Sequence, residues 1–183
     1  MDLFFIANLI IAGGGLLALL TWKQFNLMKG LSVLALAAGC LLGFLDALDK
    51  LLHPGAYSTS IRFISSSSLT FQVDALSAFF LVAIYGICLL AAIYSFHYMN
   101  KGEKALATAS NTLFFSLLIT SMALVVTAAN ILSFMLAWEV MSLSSFFLVI
   151  HDPQSAENRK AGFLYFVFSH IGAMFILAGF SLI

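Results

Sequence analysis

Charge is scarce in this chain. Asp, Glu, Lys and Arg make up 9% of its 183 residues, against about 25% in soluble domains. Eight acidic and eight basic residues cancel, so no basic field points to nucleic acid. Cysteine is down to two residues, Cys40 and Cys88, both inside apolar segments where structural disulfides do not normally form. There is no CxxC and no His/Cys cluster, which excludes an iron–sulfur, haem or zinc site carried by the chain itself. No glycine-rich phosphate loop, Ser-His-Asp pattern or internal repeat is visible, and the only low-complexity tract is Ser65–Ser68. The start does not read as a cleaved signal: Asp2 is acidic, the apolar run is too long, and no A-x-A site follows.

What is present is apolar surface, 62% of residues. It falls into six spans, about Leu3–Trp22, Leu31–Leu52, Ala75–Tyr98, Thr112–Ala129, Ile131–Ile150 and Ala161–Ile183. Each is long enough to cross a bilayer once as a helix. The fold class expected is therefore an all-α membrane protein of six transmembrane helices. Residues 1–73 hold spans one and two with the loop after them, and residues 74–183 hold spans three to six. Asn130 alone separates spans four and five, which implies a tight helical hairpin. Lys23, Lys29, Lys101, Lys104, Arg159 and Lys160 all fall on one side, and only Lys50 and Arg62 on the other. The positive-inside rule puts the first set in the cytoplasm and both termini outside, in a multi-pass inner-membrane protein. Trp22, Tyr94, Tyr98 and Tyr165 approach the same cytoplasmic interface as an aromatic belt.

Between spans two and three, Leu69–Asp74 alternates apolar and polar, the period of a strand. Ser60–Ile64 is the expected partner, with Ser65–Ser68 as the connection; an irregular loop is the alternative. Asp74 suits the N-cap of span three. Gly39 and Gly43 form GxxxG in span two, and Gly13–Gly15 sit in span one; both permit close packing.

Glu139 lies near the middle of Ile131–Ile150, a run with no other charge. A carboxylate there costs roughly 2.5–3.5 kcal/mol on insertion scales, and residues kept at such depth commonly serve ion or proton pathways. The alternative is a protonated acid hydrogen-bonded between helices. Counting 1.5 Å per residue puts His170 of span six at nearly the same depth, and histidine exchanges protons near neutral pH. Its alternative is a neutral imidazole bonding a helix carbonyl or serine. Ser142, Ser144, Ser145 and Ser169 can bridge the two through hydroxyls or water, although membrane serines more often bond their own backbone. Asp46 and Lys50 are i,i+4 and read as an interfacial ion pair. His53, His97 and His151 sit at helix ends, and Asp152, Glu157, Arg159 and Lys160 read as a solvated loop.

Two strings are recognisable. Val73-Asp74-Ala75-Leu76-Ser77-Ala78-Phe79-Phe80 resembles the start of the third helix of antiporter-like subunits in complex I, Mrp antiporters and membrane-bound hydrogenases. Trp138-Glu139-Val140-Met141-Ser142-Leu143-Ser144-Ser145-Phe146-Phe147-Leu148-Val149-Ile150 resembles their fifth-helix signature, its MSLSS portion being most like component B of hydrogenase-4. Ala161–Phe166 followed by Ser169-His170 is similar to that branch. The resemblance covers residues 70–183. It implies proton translocation coupled to redox chemistry elsewhere, with Glu139 as the fifth-helix glutamate that works with a lysine on a broken seventh helix, and His170 as a histidine of the hydrogenase branch. The chain would be a non-redox subunit, not catalytic alone. Iron–sulfur clusters and a nickel–iron centre would belong to partner subunits of a cytoplasmic redox arm. Family members have about fourteen helices, with inverted five-helix repeats after the first three; residues 74–183 would begin the first repeat. No span here carries a mid-depth Lys or Arg. Another membrane subunit is therefore expected to supply the lysine-bearing helices. The competing readings are a non-catalytic membrane scaffold and, less favoured, a small stand-alone carrier.

Overall fold

The computed structural model describes residues 2–53, 55, 57–64, 67–98, 105–150 and 155–182, with residues 61–64, 67 and 98 by backbone alone. Six helices follow in order: α1 (Asp2–Leu20), α2 (Phe25–Leu52), α3 (Ala75–Tyr98), α4 (Ala105–Thr127), α5 (Ile131–Val149) and α6 (Ala156–Phe180). Strands β1 (Tyr57–Ile64) and β2 (Ser67–Val73) form an antiparallel hairpin between α2 and α3. All six helices are long and apolar enough to cross a membrane. In lipid a helix satisfies every backbone group internally, which is why apolar runs of this length adopt no other form. The protein is multi-pass, as its composition demands.

The helices extend beyond the hydropathy spans at three polar ends. α2 begins at Phe25, α4 at Ala105 and α6 at Ala156. Hydropathy stops where charge begins, but the backbone bonds continue through the interface. Lys29, Glu157, Arg159 and Lys160 accordingly sit within the first five residues of helices, not in loops. Ser155 caps α6 by accepting the Asn158 N–H at 3.3 Å. Asp152, His151 and the Lys101–Lys104 segment lie outside the described residues.

α1 packs between α2 and α4, and α3 lies against α2 and α4. Phe4, Ile11, Leu36, Cys40, Leu81, Tyr85 and Ile119 fill this four-helix core. Close approach depends on glycine at two levels: a Cβ on Gly15 would collide with Ser116 of α4, and one on Gly39 with Ile11 of α1. Cys40 and Cys88 are buried and free. α5 packs on α4, and α6 packs on α5 at the edge of the bundle. Most hydroxyls in the helices bond their own backbone, as Ser32 to the Met28 carbonyl and Thr112 to the Thr108 carbonyl.

The hairpin is longer than its sequence pattern indicated. β1 starts at Tyr57, and Ser67 and Ser68 pair within the ladder instead of connecting it; Ser60 stands opposite Thr70. β2 docks on the α4–α5 turn. That turn is three residues, Ala128 to Asn130, with Asn130 as N-cap. Asn130 accepts the Ser133 N–H at 2.7 Å and donates to the Ser68 carbonyl at 2.7 Å. The Ala129 N–H donates to the Thr70 carbonyl, and the Thr70 N–H donates to Ser133 Oγ. These bonds tie β2 to the start of α5. Asp74 caps α3 by accepting the Ser77 N–H at 2.7 Å. The Ser77 backbone, followed by its hydroxyl, holds the exposed Asp74 carboxyl below its ordinary range.

Candidate functional site

Two antiparallel helices, α5 and α6, build the site along a single seam. Gly162 sits against Ile150 at one end, where a Cβ would meet the isoleucine side chain. Phe146 and Phe166 follow with ring centroids 5.3 Å apart. Next, Ser142 and Ser169 share a hydrogen bond of 2.5 Å. One turn further, His170 Nε2 stands 3.4 Å from Glu139 Oε2. Phe134 and Phe180 close the seam edge to face at 5.6 Å. Steps of three or four residues from Ile150 through Phe146 and Ser142 to Glu139, and from Gly162 through Phe166 to Ser169 and His170, put these positions on one face of each helix.

Glu139 is the ninth residue of α5, about 12 Å along its axis from Ile131. His170 is ten residues from the same end of α6 (Phe180), about 15 Å. The two side chains bridge that difference. The two side chains are therefore in contact across the seam.

The imidazole has a defined orientation. His170 Nδ1 lies 2.9 Å from the Phe166 carbonyl. A carbonyl only accepts, so Nδ1 carries a hydrogen and Nε2 is the atom turned to the carboxyl group. Nε2 is thus the ring atom that can exchange a proton with Oε2. The separation is within ion-pair reach but longer than a formed N–H···O bond.

Of the four serines, Ser142 and Ser169 lie next to the pair and join the helices. Ser144 bonds the Val140 carbonyl at 2.7 Å and Ser145 the Met141 carbonyl at 2.9 Å, both within α5. The pair is not sealed: Glu139 is 39% and His170 31% exposed. Leu136, Val140 and Leu143 of the same face are exposed too. The indole N–H of Trp138 is buried without an acceptor among the described residues.

The ion pair Asp46–Lys50 forms as expected, near the end of α2. Its side chains are only 11% and 5% exposed, beneath the hairpin. Tyr57 of β1 lies over the Lys50 ammonium at 5.5 Å. The sequence pattern could not anticipate this cover because it comes from a strand folded back over the helix end. Asn8 and Tyr85, bonded at 2.8 Å in the nearby core, were not anticipated either. Their signal was one amide in an otherwise apolar first span. His53 and His97 lie at the exposed ends of α2 and α3. A largely apolar cavity of about 160 Å³ lies between β2, α4 and α5, with Phe71, Thr120, Leu136 and Val140 in its wall. No group of three or more metal-ligating side chains occurs among the described residues.

Comparison with known proteins bears on this arrangement. Residues 63–108 match the family described as NADH-ubiquinone oxidoreductase (complex I), chain 5 N-terminus. Residues 128–183 match NADH:quinone oxidoreductase/Mrp antiporter, TM. Hydrogenase-4 component B of Escherichia coli (strain K12) is 36% identical over 116 residues, 63% of this chain and 17% of that protein. NADH-quinone oxidoreductase subunit L of Buchnera aphidicola subsp. Schizaphis graminum is 34% identical over 111 residues, 61% of this chain and 18% of its own length. The chain thus spans under a fifth of these curated relatives. In fold, 95% of it superposes on 36% of a chain in the membrane-bound sulfane sulfur reductase, an archaeal respiratory membrane complex, with a TM-score of 0.65 at 20% identity.

Proposed function

Because the chain belongs to the antiporter-like family of complex I, Mrp antiporter and membrane-bound hydrogenase membrane subunits, we propose that it is a proton-translocating membrane subunit, or part of one, in a redox-driven assembly of the hydrogenase-4 or complex I kind. Glu139 is the proton-holding group at mid-membrane, and His170 passes the proton on or tunes its release. The observation that carries this reading is the Glu139–His170 contact at 3.4 Å in the middle of α5. The Ser142–Ser169 bond supports it by continuing the polar seam one turn further. Residues 74–183 are the start of the antiporter-like repeat.

A half-exposed carboxyl beside exposed leucines is poorly matched to lipid, at roughly 2.5–3.5 kcal/mol on insertion scales. A lysine-bearing helix elsewhere in the assembly covers this face and supplies the cation that biases the proton on Glu139. The redox centres, iron–sulfur clusters and a nickel–iron centre, reside in partner subunits on the side of Lys23, Arg159 and Lys160. That side is the cytoplasm of an inner-membrane protein, with both described ends outside. Glu139→Gln tests the assignment: the complex assembles and turns over its electron donor, but proton movement into inverted vesicles stops. The exposure of Glu139 favours one competing reading, a scaffold that only buries apolar surface against other subunits. Normal pumping by assembled Glu139→Gln would establish that reading and end the first.

A further inference from the structure

A second polar cluster lies near the C-terminal end of α2, outside the α5–α6 seam. Asp46 and Lys50 occupy successive turns of α2, both nearly buried. Lysine is almost never buried unless paired. One turn outward on the same helix, Asp49 and His53 form an exposed contact of 3.2 Å, at 70% and 76% exposure. Inward, Gly43, three residues before Asp46 on α2, packs against the ring of Tyr85 on α3. Tyr85 is fully buried, and Gly43 leaves room for its ring: a Cβ there would lie 2.7 Å from Cζ. Side chains tilt toward the helix N-terminus, so Tyr85 leans to the hairpin side, where Asn8 of α1 meets it.

Asn8 supplies the decisive detail. Its Nδ2 donates to the Phe4 carbonyl at 2.9 Å and to the Tyr85 hydroxyl at 2.8 Å. Because a carbonyl only accepts, the amide orientation is settled, and Oδ1 is the free end. Asn8 is 4% exposed, and Oδ1 has no donor among the described residues. The Tyr85 hydroxyl accepts from Asn8 and still has a hydrogen to give. A buried acceptor without a donor, beside a hydroxyl with an unassigned hydrogen, is the environment that holds an internal water.

We propose that a water molecule sits on Asn8 Oδ1 within reach of the Tyr85 hydroxyl, and exchanges with the solution on the hairpin side along Asp46, Lys50 and the Asp49–His53 pair. The water donates to Oδ1 and accepts from Tyr85. It extends a line of proton-carrying groups from the surface into the α1–α2–α3 core. This route is separate from the α5–α6 seam and does not rest on the role of Glu139.

X-ray hydroxyl-radical footprinting of the intact protein in membranes, with a pulse of ¹⁸O water, tests it. Radicals born on a bound water oxidise side chains that bulk solvent cannot touch. Tyr85 is expected to be labelled at a rate within about tenfold of the half-exposed Tyr57, with ¹⁸O incorporated. Asn8→Leu is expected to cut Tyr85 labelling about fivefold or more with Tyr57 unchanged, and Lys50→Met to slow ¹⁸O entry. Unlabelled Tyr85 in the unmodified protein would show a dry core and overturn the proposal, whatever the variants do. Labelling unaffected by Asn8→Leu would remove the site, and ¹⁸O entry unaffected by Lys50→Met would remove the route.

Discussion

Replacing Glu139 and His170 by leucine, singly and together, measures whether their contact across the α5–α6 seam is an interaction or a coincidence of packing. At 3.4 Å, two unit charges attract by ~1.2 kcal/mol at the dielectric of water and ~5 kcal/mol at an effective value of 20. Both side chains are about one-third exposed, so solvent screening discounts the upper figure heavily. Interhelical polar pairs in membranes rarely exceed about 1.7 kcal/mol in double-mutant cycles. The coupling energy expected is therefore about 1 kcal/mol. Each single variant leaves one polar group without its partner, so the singles together lose more than the double variant. The assay is reversible unfolding in mixed micelles, followed by tryptophan fluorescence; Trp138 on α5 stacks on Phe134 at 5.6 Å and reports the seam. Strict additivity within about 0.3 kcal/mol would mean that the two groups do not interact, and the argument for proton exchange between them would fall with it. A second control comes from Ser142→Ala, which removes the neighbouring cross-helix bond but leaves the Glu139–His170 term in place.

Two further outcomes follow from the ends of the helices. Asn130→Ala removes the α5 cap and the bond to the Ser68 carbonyl, and should lower stability by about 1–2 kcal/mol. Hydrogen exchange should show faster opening at Thr70 and Ser133; unchanged protection there would refute the docking of β2. Asp74 is held below its ordinary value by the Ser77 N–H and hydroxyl. Its contribution to α3 is therefore complete above the ordinary carboxylate range and is lost as pH falls through the depressed folded-state value. Asp74→Asn keeps an acceptor at the cap and should flatten the acid limb of an unfolding titration, while an unchanged limb would assign that sensitivity to other groups.

The number of crossings was legible in the sequence because lipid leaves apolar runs a single way to satisfy their backbone. The helix ends were not, since interfacial turns such as that of Arg159 and Lys160 carry charge and remain helical. The hairpin was visible as alternation in Leu69–Asp74, yet its register and the inclusion of Ser67 and Ser68 depend on docking against Asn130 and Ser133. Glu139 stood out by its cost alone. That His170 faces it was an inference from depth and adjacency, and the seam from Gly162 to Phe180 supplied the contact.

Composition and periodicity by themselves determined a six-helix membrane protein with a carboxyl group and an imidazole at mid-span, because transfer energies act on each residue singly. Tertiary structure decided which groups share an environment. It buried Asp46 and Lys50 under Tyr57, placed Asn8 on Tyr85, and turned His170 toward Glu139 through the Phe166 carbonyl. Such pairings depend on distances between segments far apart in the chain, and no local pattern encodes those.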